Sequence, residues 1–301
     1  MEAHAAQTPA APRSRPLRLP GVGAGLGRGM VVLWLSVIVL LPLAALLDKS
    51  LSQGLGHFWS QVSSPQAKQS LELILVCSLI VVAVNAVFGT IVAWLLVRDN
   101  FPGKSIVNAV IDLPFALPTI VASLILIELW GKNSPVGIDI ALTRAAIVVA
   151  LCFVTLPFVV RAVQPLLIEM DREMEEAAAS LGAGGLTIFR RIIFPNLLPG
   201  LAAGVALAFA RALGEYGSVL LFAGGKKDTT VASILIGQQI EQGNESGAAA
   251  ISIVLLLMAL ACLFIITLIQ RWGSRHERSQ VNLAANPVIT GAAPAQEDER
   301  G

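Results

Sequence analysis

Six apolar runs, at about 29–47, 71–97, 106–130, 144–163, 198–223 and 247–270, leave this chain few folds to adopt. Each is close to or above the roughly 20 residues a helix needs to cross the hydrocarbon core of a bilayer. Inside that core every backbone N–H and C=O must be paired within the protein, which a helix achieves on its own. The runs therefore predict an all-α integral membrane protein with six transmembrane helices. Composition agrees: 55% of the 301 residues are hydrophobic and 14% are charged, whereas soluble domains carry about 25% charged residues.

The runs divide the chain into a tail at 1–28, a membrane domain at 29–271 and a second tail at 272–301. Both tails are polar or Ala/Pro-rich without helical periodicity and are expected to be disordered. A cleaved signal peptide is the other reading of the start; the length of the first run and of the tail before it disfavours that. Six crossings place both termini on one side. The tails with the flanking Arg271, and the 98–105 and 161–197 loops, hold fourteen Lys and Arg, and the opposite loops hold six: Lys49, Lys68, Lys132, Arg144, Lys226 and Lys227. Positive charge concentrates on the cytoplasmic side, so both termini and the 161–197 loop are expected there.

Three runs contain proline away from their ends: Pro42, Pro114 with Pro118, and Pro157. The pair in DLPFALPT must open the third run locally, because each proline lacks an N–H and crowds the preceding turn. The freed carbonyls either face a wet cavity or protein, or the prolines mark a simple packing kink.

Between the fourth and fifth runs lies a polar island, EMEEAAASLGAGGLTIFRRIIFPNLLP, at 173–199. Met170, Met174, Ala177, Ala178 and Leu181 recur at helical spacing and share a face, with Glu169, Glu173 and Glu176 on others. Gly182 stands where a left-handed terminator would go. After Gly184 and Gly185, Thr187 is placed to cap a second short helix with Ile188, Arg190, Arg191 and Ile192. Two short helices joined at glycine make a compact knob; the plainer reading is an amphipathic loop lying on the membrane surface.

Little else in the chain carries chemistry. Cys77, Cys152 and Cys262 lie in apolar runs without CxxC spacing and read as small hydrophobes. None of His4, His57 and His276 lies in a run, so no catalytic base, metal site or cofactor site is expected there. No GxxxxGK[ST] loop is present for holding a nucleoside triphosphate. The net charge of +1 suggests no nucleic-acid partner. If the chain uses energy, a partner supplies it.

The informative polar residues fall in FARALGEYGS. Arg211 lies near the middle of the fifth run, with Glu215 one helical turn beyond it on the same face. Placing either charge at depth costs about 2.5–3.5 kcal/mol, so both should face the bundle interior or water. Two readings stand: a structural pair between helices, or an anion pathway lined by Arg211 and restrained by Glu215. Gly214 and Gly217 offer close helix approach. Asn85, Asp112, Glu128 and Glu72 are lesser candidates, read as structural or interfacial.

The island's spacing, Glu176-Ala177-Ala178, then Gly182, Ile192 and Pro195, resembles the EAA loop of ABC-importer permeases, EAA-x3-G-x9-I-x-L-P. It departs only at Phe194, where leucine is usual. The segments VRDNFPGKSIVNAVIDLPFALPTIVAS (97–123), NSPVG (133–137), TLPFVVRAVQPLL (155–167) and ARALGEYGSV (210–219) extend the likeness over most of 30–270. Together they resemble the T-type sulfate/thiosulfate permeases of the bacterial inner membrane, with molybdate and tungstate permeases the nearest confusable group. The resemblance implies a type I importer permease that forms a pore with a second, homologous permease. It also implies a cytoplasmic ATPase dimer docked on the EAA loops and an extracytoplasmic sulfate-binding protein. Glu176, Ala177, Ala178 and Gly182 would then shape the knob that enters the ATPase. An ion-coupled carrier, which has no use for that knob, and a membrane anchor, which has no need of Arg211, are the readings from other classes.

Overall fold

The structure is a computed structural model that describes residues 22–224 and 226–284, with side-chain surroundings for 27–224 and 226–268. Every regular element among them is helical. The chain forms two compact units, one ending at Asp48 and one beginning at Lys49. In the first, α1 (Val22–Leu35) passes through a π-helical turn (Ser36–Leu40) into α2 (Leu41–Leu51), whose last three residues belong to the second.

The second unit contains α3 (Leu55–Val62), α4 (Pro65–Arg98), α5 (Lys104–Ala116), α6 (Thr119–Trp130) and α7 (Arg144–Glu169). It continues with α8 (Arg172–Ser180), α9 (Gly185–Ile188), a π-helical turn (Phe189–Ile193) and α10 (Phe194–Leu213). The last elements are α11 (Gly217–Phe222), α12 (Ala232–Glu241) and α13 (Glu245–Ala284).

Both π-turns precede a proline and have the same cause. Proline has no N–H and its ring crowds the carbonyl four residues back. Loosening the turn before it by one residue absorbs the misfit without ending the helix. Thus Leu41, just before Pro42, donates its N–H to the Ser36 carbonyl, and Phe194, just before Pro195, donates to Phe189.

Five helical stretches are long and apolar enough to cross a membrane: Gly27–Leu51, Pro65–Arg98, Arg144–Glu169, Gly185–Leu213 and Glu245–Leu268. The run expected at 106–130 is not a single helix. It is α5 and α6 end to end, parted where Leu117 and Pro118 are extended. The residue before a proline is pushed out of the helical region, which explains the break at Leu117. Pro114 stays inside α5, and Pro157 inside α7. The run at 198–223 is also divided, by Gly214–Tyr216 between α10 and α11.

The expected tails fall mainly on 1–21 and 285–301, outside the described residues. Of the remainder, 22–28 and 272–284 are helix, continuing α1 and α13. Adding a residue to an existing helix is far easier than starting one.

α7 is the centre of the second unit. It packs against α4 and α10, and also against α5 and α11. Ile147, Leu151, Val159, Val160 and Val163 of α7 are fully buried among Ile74, Val81, Leu197, Ala208 and Phe209. Small residues let the α7 and α10 backbones approach closely: a Cβ on Gly204 would stand 2.8 Å from the Ala162 Cβ and 3.0 Å from the Val159 Cα. Such packing substitutes for the hydrophobic drive that lipid does not supply. Asn85 reinforces it, donating from α4 to the Thr155 hydroxyl at 2.8 Å and the Cys152 carbonyl at 3.3 Å on α7.

Candidate functional site

The polar island forms one end of the second unit. Asp171 caps α8 by accepting the Glu173 N–H at 2.9 Å, the oxygen-to-backbone contact that satisfies a free donor at a helix start. Met170 belongs to the end of α7 and Leu181 lies past α8, so the five-residue face expected across 170–181 is cut at both ends. Gly182 is left-handed, with φ of 85°. Its N–H donates to the Ala179 carbonyl at 2.9 Å and that of Ala183 to Ala178 at 3.0 Å. These two bonds make a Schellman termination, closing orphan carbonyls of α8.

Gly184, not Thr187, is the cap of the next helix, which begins at Gly185. The second short helix does not end inside the island either: α9, the π-turn and α10 are one continuous rod. Glu176 and Ala177 are exposed on α8, Ala178 is half-buried, and Gly182 is exposed at the turn. Ile192 and Pro195 are half-buried at the root of α10. Leu181 is 90% exposed and Leu186 73%. Apolar side chains so exposed beside Glu176 make the end of this loop a surface suited to a partner.

At the other end of α10 the two helix breaks meet. Pro118, Thr119 and Ile120 from the first face Arg211, Gly214, Glu215, Tyr216 and Gly217 from the second across a cavity of about 370 Å³. Ser123 ties the breaks together, with its hydroxyl 2.6 Å from the Gly217 carbonyl and 2.7 Å from that of Ser218. Arg211 and Glu215 form an ion pair, as expected, but not along one helix face. α10 ends at Leu213, and Glu215 lies in the non-helical segment beyond. Arg211 is therefore in the last turn of α10, where the helix dipole favours a cation.

Glu215 is 1% exposed and Arg211 35%. One Glu215 oxygen pairs with Arg211 and the other accepts the Ser218 N–H at 2.9 Å. The carboxylate is thus buried but doubly held, and the guanidinium is open to the cavity. Of the two glycines expected to permit close approach, Gly217 does so, against Thr119. Gly214 meets only the Ala210 carbonyl of its own helix, at 3.9 Å from an added Cβ.

Residues 85–278 match the family described as binding-protein-dependent transport system inner membrane component. The chain belongs to this family. The sulfate transport system permease protein CysT of Synechocystis sp. is 46% identical over 256 residues, 82% of this chain and 89% of that protein. The CysT protein of Salmonella typhimurium is 40% identical over 266 residues, 85% of this chain and 95% of its own. A bacterial alginate ABC transporter, solved in complex with an alginate pentasaccharide-bound periplasmic protein, aligns with a TM-score of 0.70. That match covers 82% of this chain and 94% of the other at 16% identity, and shows the type I importer permease fold.

Two further arginine ion pairs involve Arg98 and Arg161, which the apolar pattern places in loops. Arg161 lies within α7 and pairs with Asp112 of α5 through Nε–Oδ1 at 2.9 Å and Nη2–Oδ2 at 2.5 Å. Its Nη1 adds Gln164 at 2.6 Å and the Asn108 side chain at 3.2 Å. Arg98, the last residue of α4, pairs with Glu175 of α8 at 2.5 Å. A sequence signal existed for each: Gln164 lies one turn after Arg161, and Trp94 one turn before Arg98, with its ring centroid 5.5 Å from the guanidinium.

Proposed function

We propose that this permease is the CysT-type subunit of an ATP-driven importer of sulfate, with thiosulfate as a second substrate. The observation that carries this reading is identity of 39–46% to the CysT sulfate permeases of Synechocystis sp. and Escherichia coli, over about four-fifths of the chain. Its multi-pass helical architecture fits the same role.

In this reading both termini and the 171–184 loop lie in the cytoplasm, in line with the excess of Lys and Arg on that side. A cytoplasmic ATPase dimer receives the loop. Glu176, Ala177, Ala178 and Gly182 shape the inserted knob, Ile192 and Pro195 brace its root, and Leu181 and Leu186 supply apolar contact. A second, homologous permease completes the pore, and an extracytoplasmic sulfate-binding protein delivers the anion. Closure of the ATPase pair on ATP then shifts the helices between inward- and outward-facing arrangements.

Arg211 lines the anion pathway at the cavity between the helix breaks. A tetrahedral dianion arriving there competes with Glu215 for the guanidinium. Glu215 keeps its second partner, the Ser218 N–H, and so is not left wholly unpaired. The pair thereby holds the site closed to stray cations and anions until a stronger anion enters.

The test is labelled sulfate uptake in cells lacking only this chain, with unlabelled thiosulfate and molybdate as competitors. Uptake should be lost, be restored by the wild-type gene and not by a Gly182 variant, and be competed by thiosulfate. Intact sulfate uptake with lost molybdate accumulation would overturn the substrate assignment.

A further inference from the structure

α8 is nine residues long and has no buried residue, so packing does little to fix its orientation. The chain attaches it at two points. Before it, Met170 and Asp171 are both extended, with ψ of 123° and 124°. After it comes the left-handed turn at Gly182. Main-chain hydrogen bonds of one helix do not continue into the next at either joint, so neither joint transmits twist. A body held at two such points turns about the line between them. A third attachment is needed to fix it.

The third attachment is Glu175 to Arg98, 77 residues apart in sequence. The two side chains are 21% and 9% exposed, so water screens the pair poorly. Trp94 lies against the guanidinium and meets Phe189 edge-on at 6.1 Å, where the π-turn leads into α10. Arg98 Nε is buried without a hydrogen-bond partner, so the guanidinium depends on Glu175 for compensation of its charge. The pair therefore sits at a node joining α4, α8 and the root of α10. Of the three core helices, α7 and α10 are joined to the loop by the chain itself; α4 is joined to α8 by this ion pair.

We propose that Arg98 and Glu175 are positioning residues that lock α8 to α4, so that a displacement of the loop turns α4 together with α7 and α10. This rests on the ATPase-docking reading of the loop. Loss of the pair leaves a loop that still docks but swivels, and ATP hydrolysis runs without moving the helices as a set.

The test uses the assembled transporter, with its own ATPase and second permease, in cells lacking the native copy of this chain. Arg98→Gln, Glu175→Gln and the exchanged pair Arg98→Glu/Glu175→Arg are compared with wild type. Each is scored for labelled sulfate uptake, co-purifying ATPase and ATP hydrolysis by the purified complex. Each single variant should retain the ATPase and its hydrolysis while uptake falls about tenfold, the size of a typical coupling between sites. The exchanged pair should recover a substantial part of that loss. Single variants with wild-type uptake overturn the proposal, as does a loss of uptake that only parallels loss of bound ATPase, or an exchanged pair no better than the single changes. A wild-type complex that carries no sulfate or holds no ATPase overturns the functional reading instead.

Discussion

Gly217 and Thr119 approach so closely that a Cβ on the glycine would stand 2.2 Å from the threonine Oγ1 and 3.0 Å from the Ile120 nitrogen. α6 and α11 both begin at this contact, on the wall of the cavity that holds Arg211. Gly217→Ala must therefore separate the two helix starts, at a cost of about 1–3 kcal/mol for overpacking. The melting temperature of the purified complex and sulfate uptake should both fall; a variant unchanged in both would show the contact to be slack.

Arg211→Ala removes the charged partner of a buried carboxylate. Losing one member of a fully buried pair costs about 3–5 kcal/mol. Arg211 is partly open to the cavity, which lets water share the charge and places the expected loss lower, at about 1–3 kcal/mol. Membrane yield should drop with uptake. Arg211→Ala/Glu215→Gln should restore yield without restoring uptake, and recovery of both would remove Arg211 from the anion pathway.

A β-branched residue at 182 cannot take the left-handed conformation cheaply; the strain is about 1–2 kcal/mol. Gly182→Val should leave membrane insertion normal and abolish co-purification of the ATPase. Gly182→Asn, which tolerates that conformation better, should retain part of it. Normal docking of the valine variant would separate the turn from the knob.

Asn85 bonds α4 to α7 and is not among the residues that line the cavity. Asn85→Ala should lower stability by about 1–2 kcal/mol, the loss expected for a buried polar contact. The sulfate concentration for half-maximal uptake should stay unchanged in the folded fraction. A shift in that concentration without a shift in melting temperature would move Asn85 into the transport pathway.

The helical class, the left-handed turn at Gly182 and the Arg211–Glu215 pair were legible because each depends on neighbours in sequence. Where the reading missed, tertiary structure decided. Pro114 and Pro118 obey the same local rule, yet only the second ends a helix, at the point where Ser123 holds α6 to α11. Glu215 meets Arg211 from beyond the helix end and not along a face, because α10 stops at Leu213. Arg98 and Arg161 read as loop charges because α4 and α7 outrun their apolar stretches. Their acidic partners lie 77 and 49 residues away, beyond the reach of any local pattern.

The unbroken rod from Gly185 to Leu213 has a mechanical consequence. Its 29 residues make it about 43 Å long at 1.5 Å per residue. The exposed loop lies at one tip and the guanidinium of Arg211 at the other. A tilt of roughly 5° about the loop end would sweep the far tip through about 4 Å, on the same helical rise. That is more than the length of an ion pair. The rod is thus a lever: a small swing at its root would carry Arg211, with the Glu215 segment joined to the same tip, against Pro118 and Thr119 on the facing wall of the cavity.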